Sequence, residues 1–438
     1  MVMNNEIFQD LQSKYGLQYS DKNFSGEGFV EECAVIRGKL NGRFYLGAYS
    51  QIDFSAICNN AYIGRFTIIE RNCYIGRKKY RSALSNHPFI YGDTINNNFK
   101  DSYYSLIKTN RFFYEKDKIS FIGSDVVVGQ NSVITEGVVI GDGAIIYPNS
   151  YVDEDVPPYS IVAGSPATII GFRFEEDIIE QLLIKKWWKY DFSQIIKNFK
   201  GIINYINNNE LIEKVISEDL KNLSKNKFYL NTIRGDYCLN KINTCVVGPS
   251  HIQIWHKKWL ESKLDVDDFY LLPIPAMSLM SNQSENLIKW WVDWFDNVIL
   301  FVPDFRIGNV TTFSNIHDGR FIEPESISNE NDIESFRIGL NRLDQYQLLK
   351  KVKFIFWCLY GRESLNKLDN KFINGNGAYS HPIWNYTDLV KRYQSVTIDV
   401  STDFLNIEKF IVDKSIHPTD ECYRKLNTII SSYVSRDI

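Results

Sequence analysis

No two cysteines in this chain form a Cys-x-x-Cys pair; the seven are scattered at 33, 58, 73, 238, 245, 358 and 422. An odd, dispersed set speaks against a disulfide framework and against a structural zinc site, so no metal is expected. No hydrophobic run approaches the roughly 18 residues that would span a bilayer. The opening MVMNNEIFQDLQSKYG also lacks an apolar stretch of signal-peptide length. Those absences predict a cytoplasmic protein from a reducing compartment, without a transmembrane segment. Neither sign of charge dominates: 49 Lys plus Arg against 53 Asp plus Glu leave a formal net charge of −4. That balance gives no electrostatic basis for nucleic acid as the main partner. Histidine is sparse at six residues, and His87 is the only one in the first half.

What the chain has instead is length and aromatic rings. Its 438 residues exceed one ordinary core and predict two or three domains. The 26 Tyr, 28 Phe and 9 Trp fill cores, but such rings also suit the flat apolar faces of sugars.

From about residue 34 the sequence falls into six-residue units that begin with an aliphatic residue, often followed by Gly. Examples are LGAYSQ (46–51), IGRFTI (63–68), IGRKKY (75–80) and the contiguous run VGQNSV, ITEGVV, IGDGAI, IYPNSY (128–151). A period of six fits neither an amphipathic helix nor a simple alternating strand, but it does fit a hexapeptide β-helix. Each aliphatic residue then points into a narrow prism and stacks on its counterparts in the coils above and below. Between about 77 and 120 the repeat breaks into a polar, aromatic, aperiodic stretch that contains KKYRSALSNHPFIYG (78–92). A long excursion from a regular solenoid is more often functional than decorative. After 151 come VPPYSIVAGSPATIIGFRF and the helical pattern EEDIIEQLLIKKWWKYDFSQI (175–195).

These units, the loop ending SNHPF, the closing PPYSIVAGSPA (157–167) and RF…LLIKKWW (173–188) resemble one family. Over residues 31–200 the chain looks like the left-handed β-helix acetyltransferases of the xenobiotic and polysaccharide O-acetyltransferase group. The resemblance implies a homotrimer, acetyl-CoA in clefts between neighbouring prisms, and an acceptor hydroxyl deprotonated by a loop histidine. Imidazole suits that task because its pKa lies near neutral, and an N–H donor must meet the developing oxyanion. Ala163, Gly164, Ser165 and Thr168 match the family segment that lies along the pantetheine arm. Arg173 either meets a CoA phosphate or plays a plain surface role. The family commonly carries two loop histidines, the first of them the base, and SNHPF matches the second. Lys79 or Tyr80 then stands where the base belongs, and Lys79 needs a strongly lowered pKa to act as one. His87 is therefore either a relocated base or a structural loop residue.

The second half has a different pattern. Residues 196–235 are rich in Asn and Lys with helical apolar spacing, which predicts a helical linker over 173–235. Compact β-branched and aromatic runs follow: NTCVVG (243–248), FYLLPIP (269–275), NVILFVP (297–303), VKFIFWCLYG (352–361) and SVTIDVS (395–401). Amphipathic stretches such as NLIKWWVDWF (286–295) lie between them, an alternation that predicts a parallel sheet covered by helices on both faces. Ligands in such folds sit beyond the carboxyl ends of the strands. GPSHIQIW (248–255), DFRIGN (304–309) and DKSIHPTDECY (413–423) fall there and resemble the SGNH/GDSL hydrolase and acetyltransferase superfamily. The resemblance makes Ser250 the nucleophile, Asn309 an oxyanion donor and His417 the base, with Asp413, one place beyond the usual carboxylate position, left to orient it. Pro249 replaces the usual Asp, Lys414 occupies the usual carboxylate position, and PIPAMS lacks the expected glycine. Ser250 as a helix N-cap and His417 as a buried turn histidine remain open alternatives. His251, His256, His317 and His381 are read as surface, turn or core residues.

The expected organisation is an N-terminal segment (1–30), a β-helix domain (31–172), a helical linker (173–235) and an SGNH-like α/β domain (236–438). The expected activity is acetyl transfer from acetyl-CoA to a hydroxyl of a surface polysaccharide or its precursor. The alternative is a carbohydrate esterase or deacetylase carried on a trimerising, glycan-binding β-helix; a non-enzymatic scaffold comes third.

Overall fold

A computed structural model describes residues 12–19, 23–79, 118–191, 208–217, 221–223, 225, 227–231, 236–238, 243–248, 250–261, 263–264, 266, 269–273, 282–302, 341–349, 351–356, 392–393 and 418–434. The chain divides into two compact units, Met1–Lys241 and Ile242–Ile438.

The first unit is a three-sided parallel β-helix. One side stacks β2 (Val35–Ile36), β4 (Gln51–Ile52), β6 (Ile68–Ile69), β9 (Val127–Val128), β12 (Ile145–Ile146) and β14 (Ser160–Gly164). The longer β3 (Lys39–Leu46) and β5 (Ile57–Ile63) run along both remaining sides. The second side continues through β7 (Tyr74–Arg77), β10 (Val133–Thr135) and β13 (Tyr151–Val152). The third continues through β8 (Ser120–Ile122) and β11 (Val139–Ile140).

The repeat's first position fills the prism, as expected. Ile36, Ile52, Ile69, Val128, Ile146 and Val162 form one buried column in a single continuous core. Leu40, Cys58, Ile75, Ile134 and Val152 form the next.

The corners need left-handed backbone. Phe66, Asp125 and Tyr159 adopt positive φ at one corner, and Asn72, Asn131 and Asn149 do so at another. Asn tolerates that region better than most residues, and here stacking adds a second gain. The Asn72 amide donates to Asn131 at 3.1 Å, and Asn131 donates to Asn149 at 3.1 Å.

Beyond the last coil, β14 turns back as β15 (Ala167–Phe172) in an antiparallel hairpin. The helix α1 (Glu176–Lys185) and the short turn Trp187–Lys189 then cover the corner that carries Phe66 and Tyr159. The Phe66 and Trp187 rings lie 4.9 Å apart.

The predicted helical linker holds only in part. A second helix, α2, spans Asn208–Ser217, but Lys227–Asn231 forms a strand, β16, antiparallel to β1 (Phe24–Glu31). A further strand, β17 (Asp236–Cys238), pairs with β16. The physical reason is the open edge of β1, whose unpaired backbone groups need a partner. Phe228 and Leu230, two residues apart, enter the β-helix core through this strand. The first unit therefore extends to Lys241, past the expected boundary at 235.

The second unit contains a parallel four-stranded sheet in the order β19-β18-β20-β21. These strands are β18 (Thr244–Gly248), β19 (Tyr270–Pro273), β20 (Asn297–Val302) and β21 (Val352–Phe356). They fall on four of the five predicted runs; the fifth, 395–401, lies outside the described residues. The helices α3 (Ser250–Leu260), α4 (Asn282–Trp294) and α5 (Asp420–Val434) accompany them. Val246, Ile252, Trp255, Ile299, Phe301, Tyr423 and Leu426 share the buried core. Among the described residues no helix is long and apolar enough to cross a membrane.

Candidate functional site

In the β-helix unit the candidate site begins where the repeat breaks. The chain leaves β7 after Arg77 and re-enters at β8 with Ser120, changing sides of the prism. Both feet of this excursion flank Thr135–Gly137. Glu136 N–H donates to the Arg77 carbonyl at 2.9 Å, and a Cβ on Gly137 would come within 3.0 Å of the Lys118 side chain. Lys79, on the first foot, donates from Nζ to the Asp153 carbonyl at 2.6 Å. Its ammonium thus meets the backbone two coils on. Tyr80 and His87 lie outside the described residues.

The four residues matched to the pantetheine segment sit on the β14–β15 hairpin. Ala163 pairs with Thr168 and Gly164 with Ala167, while Ser165 lies in the exposed turn between them. Because β15 ends the sheet order, its outer edge offers backbone donors and acceptors that no described strand takes. An extended, amide-bearing ligand suits such an edge.

Arg173 is anchored to its own unit. Its Nη1 donates to Asp125 Oδ2 at 2.9 Å and to the Gly143 carbonyl at 2.7 Å. The guanidinium also lies 5.3 Å from the ring centres of Tyr159 and Phe174. Burial pushes the Asp125 carboxyl above its usual range, and Arg173 pulls it part of the way back. The stacking and ion pair tie the hairpin's exit to the corner at Asp125, a contact that neither sequence alternative, a phosphate contact or a plain surface role, included.

The sequence reading missed the most buried ion pair among the described residues. Arg65 Nε meets Glu31 Oε2 at 2.6 Å and Nη2 meets Oε1 at 2.7 Å. The Ala48 N–H adds a 2.9 Å bond to the same carboxylate. No local signal marks a partner 34 positions away; only the coil register brings the two together.

In the second unit, β18 is flanked by β19 on one side and β20 on the other. The strand order therefore reverses at β18, and ligands in such folds gather beyond the carboxyl ends of the strands at such a point. Ser250 opens α3 at this point; its side chain lies outside the described ones. A Cβ on Gly248 would stand 2.4 Å from Ile252 Cγ1 and 3.1 Å from Phe301 Cβ. Glycine there lets the first turn of α3 pack tightly on the sheet. His251 is 2% exposed and faces Phe301 at 5.6 Å, and His256 lies 5.7 Å from Trp259, so both are core residues.

Asn309, Asp413 and His417 lie outside the described residues, but the helix just after His417 does not. Thr419 caps α5, its Oγ1 accepting from Cys422 N–H at 3.2 Å. Tyr423, in the first turn, donates its hydroxyl to the His251 carbonyl at 2.7 Å. Lys258 pairs with Asp420 across the two helices. Tyr423 thus ties the first turn of α5 to the first turn of α3, while the ion pair ties it to the last turn of α3.

Residues 120–154 match the family model described as "Bacterial transferase hexapeptide (six repeats)". That stretch runs from β8 through β13. A probable macrolide acetyltransferase of Lysinibacillus sphaericus is 44% identical over 101 residues, which cover 23% of this chain and 56% of that protein. A chloramphenicol acetyltransferase of Escherichia coli is 37% identical over 106 residues, 21% of this chain and 50% of that one. The chain spans about half the length of these two curated relatives. Among solved structures, a hexapeptide-repeat acetyltransferase of Vibrio cholerae complexed with acetyl-CoA is 18% identical. The match covers 39% of this chain and 78% of that one at a TM-score of 0.25.

Proposed function

We propose that the protein transfers acetyl from acetyl-CoA to a hydroxyl of a carbohydrate, a surface polysaccharide or its precursor. The observation that carries the reading is the hexapeptide run 120–154, whose similar proteins are named acetyltransferases. In this reading the β-helix is left-handed, three copies assemble, and acetyl-CoA lies along the β15 edge at Ala163, Gly164, Ser165 and Thr168. The acceptor oxygen attacks the thioester carbonyl carbon while a base, His87, takes its proton. The tetrahedral oxyanion then collapses, the C–S bond breaks, and the CoA thiolate receives the proton. The enzyme works in the cytoplasm, which its free thiols Cys33, Cys58, Cys73, Cys245 and Cys422 suit.

The second unit is read as an SGNH-like acetyl-handling module, with Ser250 as nucleophile, His417 as base, Asp413 orienting it and Asn309 serving the oxyanion. The clamp of Tyr423 on His251 supports this reading, because it brings the chain that follows His417 to the start of α3. The same clamp favours the alternative, a carbohydrate esterase on a trimerising β-helix. CoA dependence separates them. Incubation of the full chain with acetyl-CoA and a panel of surface oligosaccharides should yield free CoA and acetylated sugar. Release of acetate from acetylated glycans, with no CoA requirement, would replace the transferase reading by the esterase one.

A further inference from the structure

One corner of the β-helix carries a feature that the acetyl-transfer reading leaves unused. In three successive coils an exposed charged or aromatic residue follows the β2, β4, β6 side: Arg37 directly after β2, and Phe54 and Arg71 two residues after β4 and β6, behind Asp53 and Glu70. Phe54 is 54% exposed. A guanidinium flanks it on each side along the helix axis, Arg37 at 5.7 Å from the ring centre and Arg71 at 6.0 Å. Successive coils are about 4.8 Å apart, so the two arginines belong to coils roughly 10 Å apart.

The charges on this corner are not equivalent. Arg37 shares one nitrogen with Asp53 at 3.3 Å. The other nearby carboxylate, Glu70, accepts the Gln130 N–H at 2.8 Å. Arg71 has no carboxylate partner among the described residues. Its planar fork is therefore open to a carboxylate in two-point contact, for which guanidinium geometry is suited. The exposed ring beside it offers a flat apolar platform.

We propose that Arg37, Phe54 and Arg71 form a docking ridge for a carboxylate-bearing sugar chain running along the β-helix axis. A ring C–H face stacks on Phe54, and the sugar carboxylate pairs with Arg71. This deepens the proposed function by giving the acceptor a charge class, and it rests on the carbohydrate reading. A single-stranded nucleic acid also combines flat rings with negative charge, but a chain of net charge −4 gives it no long-range attraction.

Binding of the full chain to polygalacturonate, a neutral dextran of matched length and poly(U) tests this without any acetyl donor. Polygalacturonate should bind, dextran and poly(U) far less, and the affinity should fall as salt screens the exposed guanidinium groups. Arg71→Gln and Phe54→Ala should each weaken polygalacturonate binding about tenfold. Phe54→Trp should retain it, and Arg37→Gln should have the smaller effect because Asp53 already neutralises that group. Equal binding of dextran, preference for poly(U), or variants that bind like the parent would overturn the ridge. Acetyl transfer is measured separately: transfer with unaltered binding in the variants sinks the ridge alone. Loss of binding in the variants with no sugar acetylated sinks the transferase alone.

Discussion

Glu31 and Arg65 form a two-point ion pair inside the first unit, with nitrogen–oxygen distances of 2.6 and 2.7 Å and a carboxylate fully shielded from solvent. Arg65 also reaches the Trp188 carbonyl at 3.5 Å, so the pair links the first strand, the third coil and the turn after α1. Burial alone would push the Glu31 carboxyl up. The Arg65 guanidinium, helped by Lys227 and the Ala48 N–H, outweighs that and holds it below its usual range.

Removing one partner should therefore be severe. Glu31→Gln leaves a buried guanidinium without its counter-charge, a change that costs about 3–5 kcal/mol. Replacing both partners by apolar residues of similar volume should cost much less. The pH dependence has a definite sign. A carboxyl lowered in the folded state contributes stability above its unfolded pKa and loses it as pH falls through the folded value. Urea unfolding of the parent should weaken on acidification below the usual carboxylate range, and Glu31→Gln should show a shallower acid limb. A Glu31→Gln protein as stable as the parent at neutral pH would contradict this.

Arg173 makes a second prediction. Without its guanidinium, the partly buried Asp125 carboxylate loses its ion partner, and the hairpin exit loses its tie to the corner. Arg173→Ala should cost about 1–3 kcal/mol at neutral pH. The loss should be smaller in acid, because a carboxyl raised by burial is then protonated and needs no counter-charge. A rise in KM for acetyl-CoA at constant kcat would add a phosphate contact to this anchoring role. Equal losses at neutral and acidic pH would remove the charge argument.

The columns of the prism were legible because each depends on one residue type at one spacing. Ile52, Ile69 and Ile146 needed only to be apolar and in phase. The β18–β21 strands were legible for a similar reason, as short buried runs such as CVV and ILFV interrupted by helical spacing. The pairing of β16 with β1 was not, because KFYLN is a short run whose partner lies some two hundred positions earlier. Nor were Phe66 and Tyr159 at positive φ, since bulky residues rarely adopt it and only packing under α1 compensates. For the candidate sites, sequence located the break in the repeat and the start of α3. The Arg173 anchor and the α3–α5 clamp depend on contacts across many residues and needed coordinates.

Assembly provides a third prediction. The β15 strand exposes Ile169, Ile170 and Phe172 at 49%, 56% and 53%. Such an apolar edge is suited to burial against another copy. Light scattering should report three times the 51.0 kDa chain mass, and Ile170→Asp should shift it toward one. A parent protein that is monomeric at micromolar concentration would remove the trimer, and with it the shared acetyl-CoA cleft.

The last prediction concerns which unit performs the chemistry. In the first unit the foot of the excursion offers Lys79, whose ammonium is already bonded to the Asp153 carbonyl. In the proposed reading His87 is the base in that loop. In the second unit, the Tyr423 hydroxyl ties the first turn of α5 to the first turn of α3, and Asp420 pairs with Lys258 in the last turn of α3. We therefore expect Ser250→Ala and His417→Ala each to abolish at least one acyl-transfer or deacylation step, by several powers of ten. His87→Ala should be equally severe if the loop histidine is the base, and mild if it only packs the loop. Because the variants lie in separate units, their effects should be independent unless an acetylated product passes from one site to the other. Tyr423→Phe sharpens the comparison. It deletes only the hydroxyl that holds the two helix starts together, so it should lower kcat of the second unit's step while leaving acetyl transfer by the first unchanged. Full activity in Ser250→Ala and His417→Ala, with none in His87→Ala, would assign the reaction to the β-helix alone and return Ser250 to a helix-capping role.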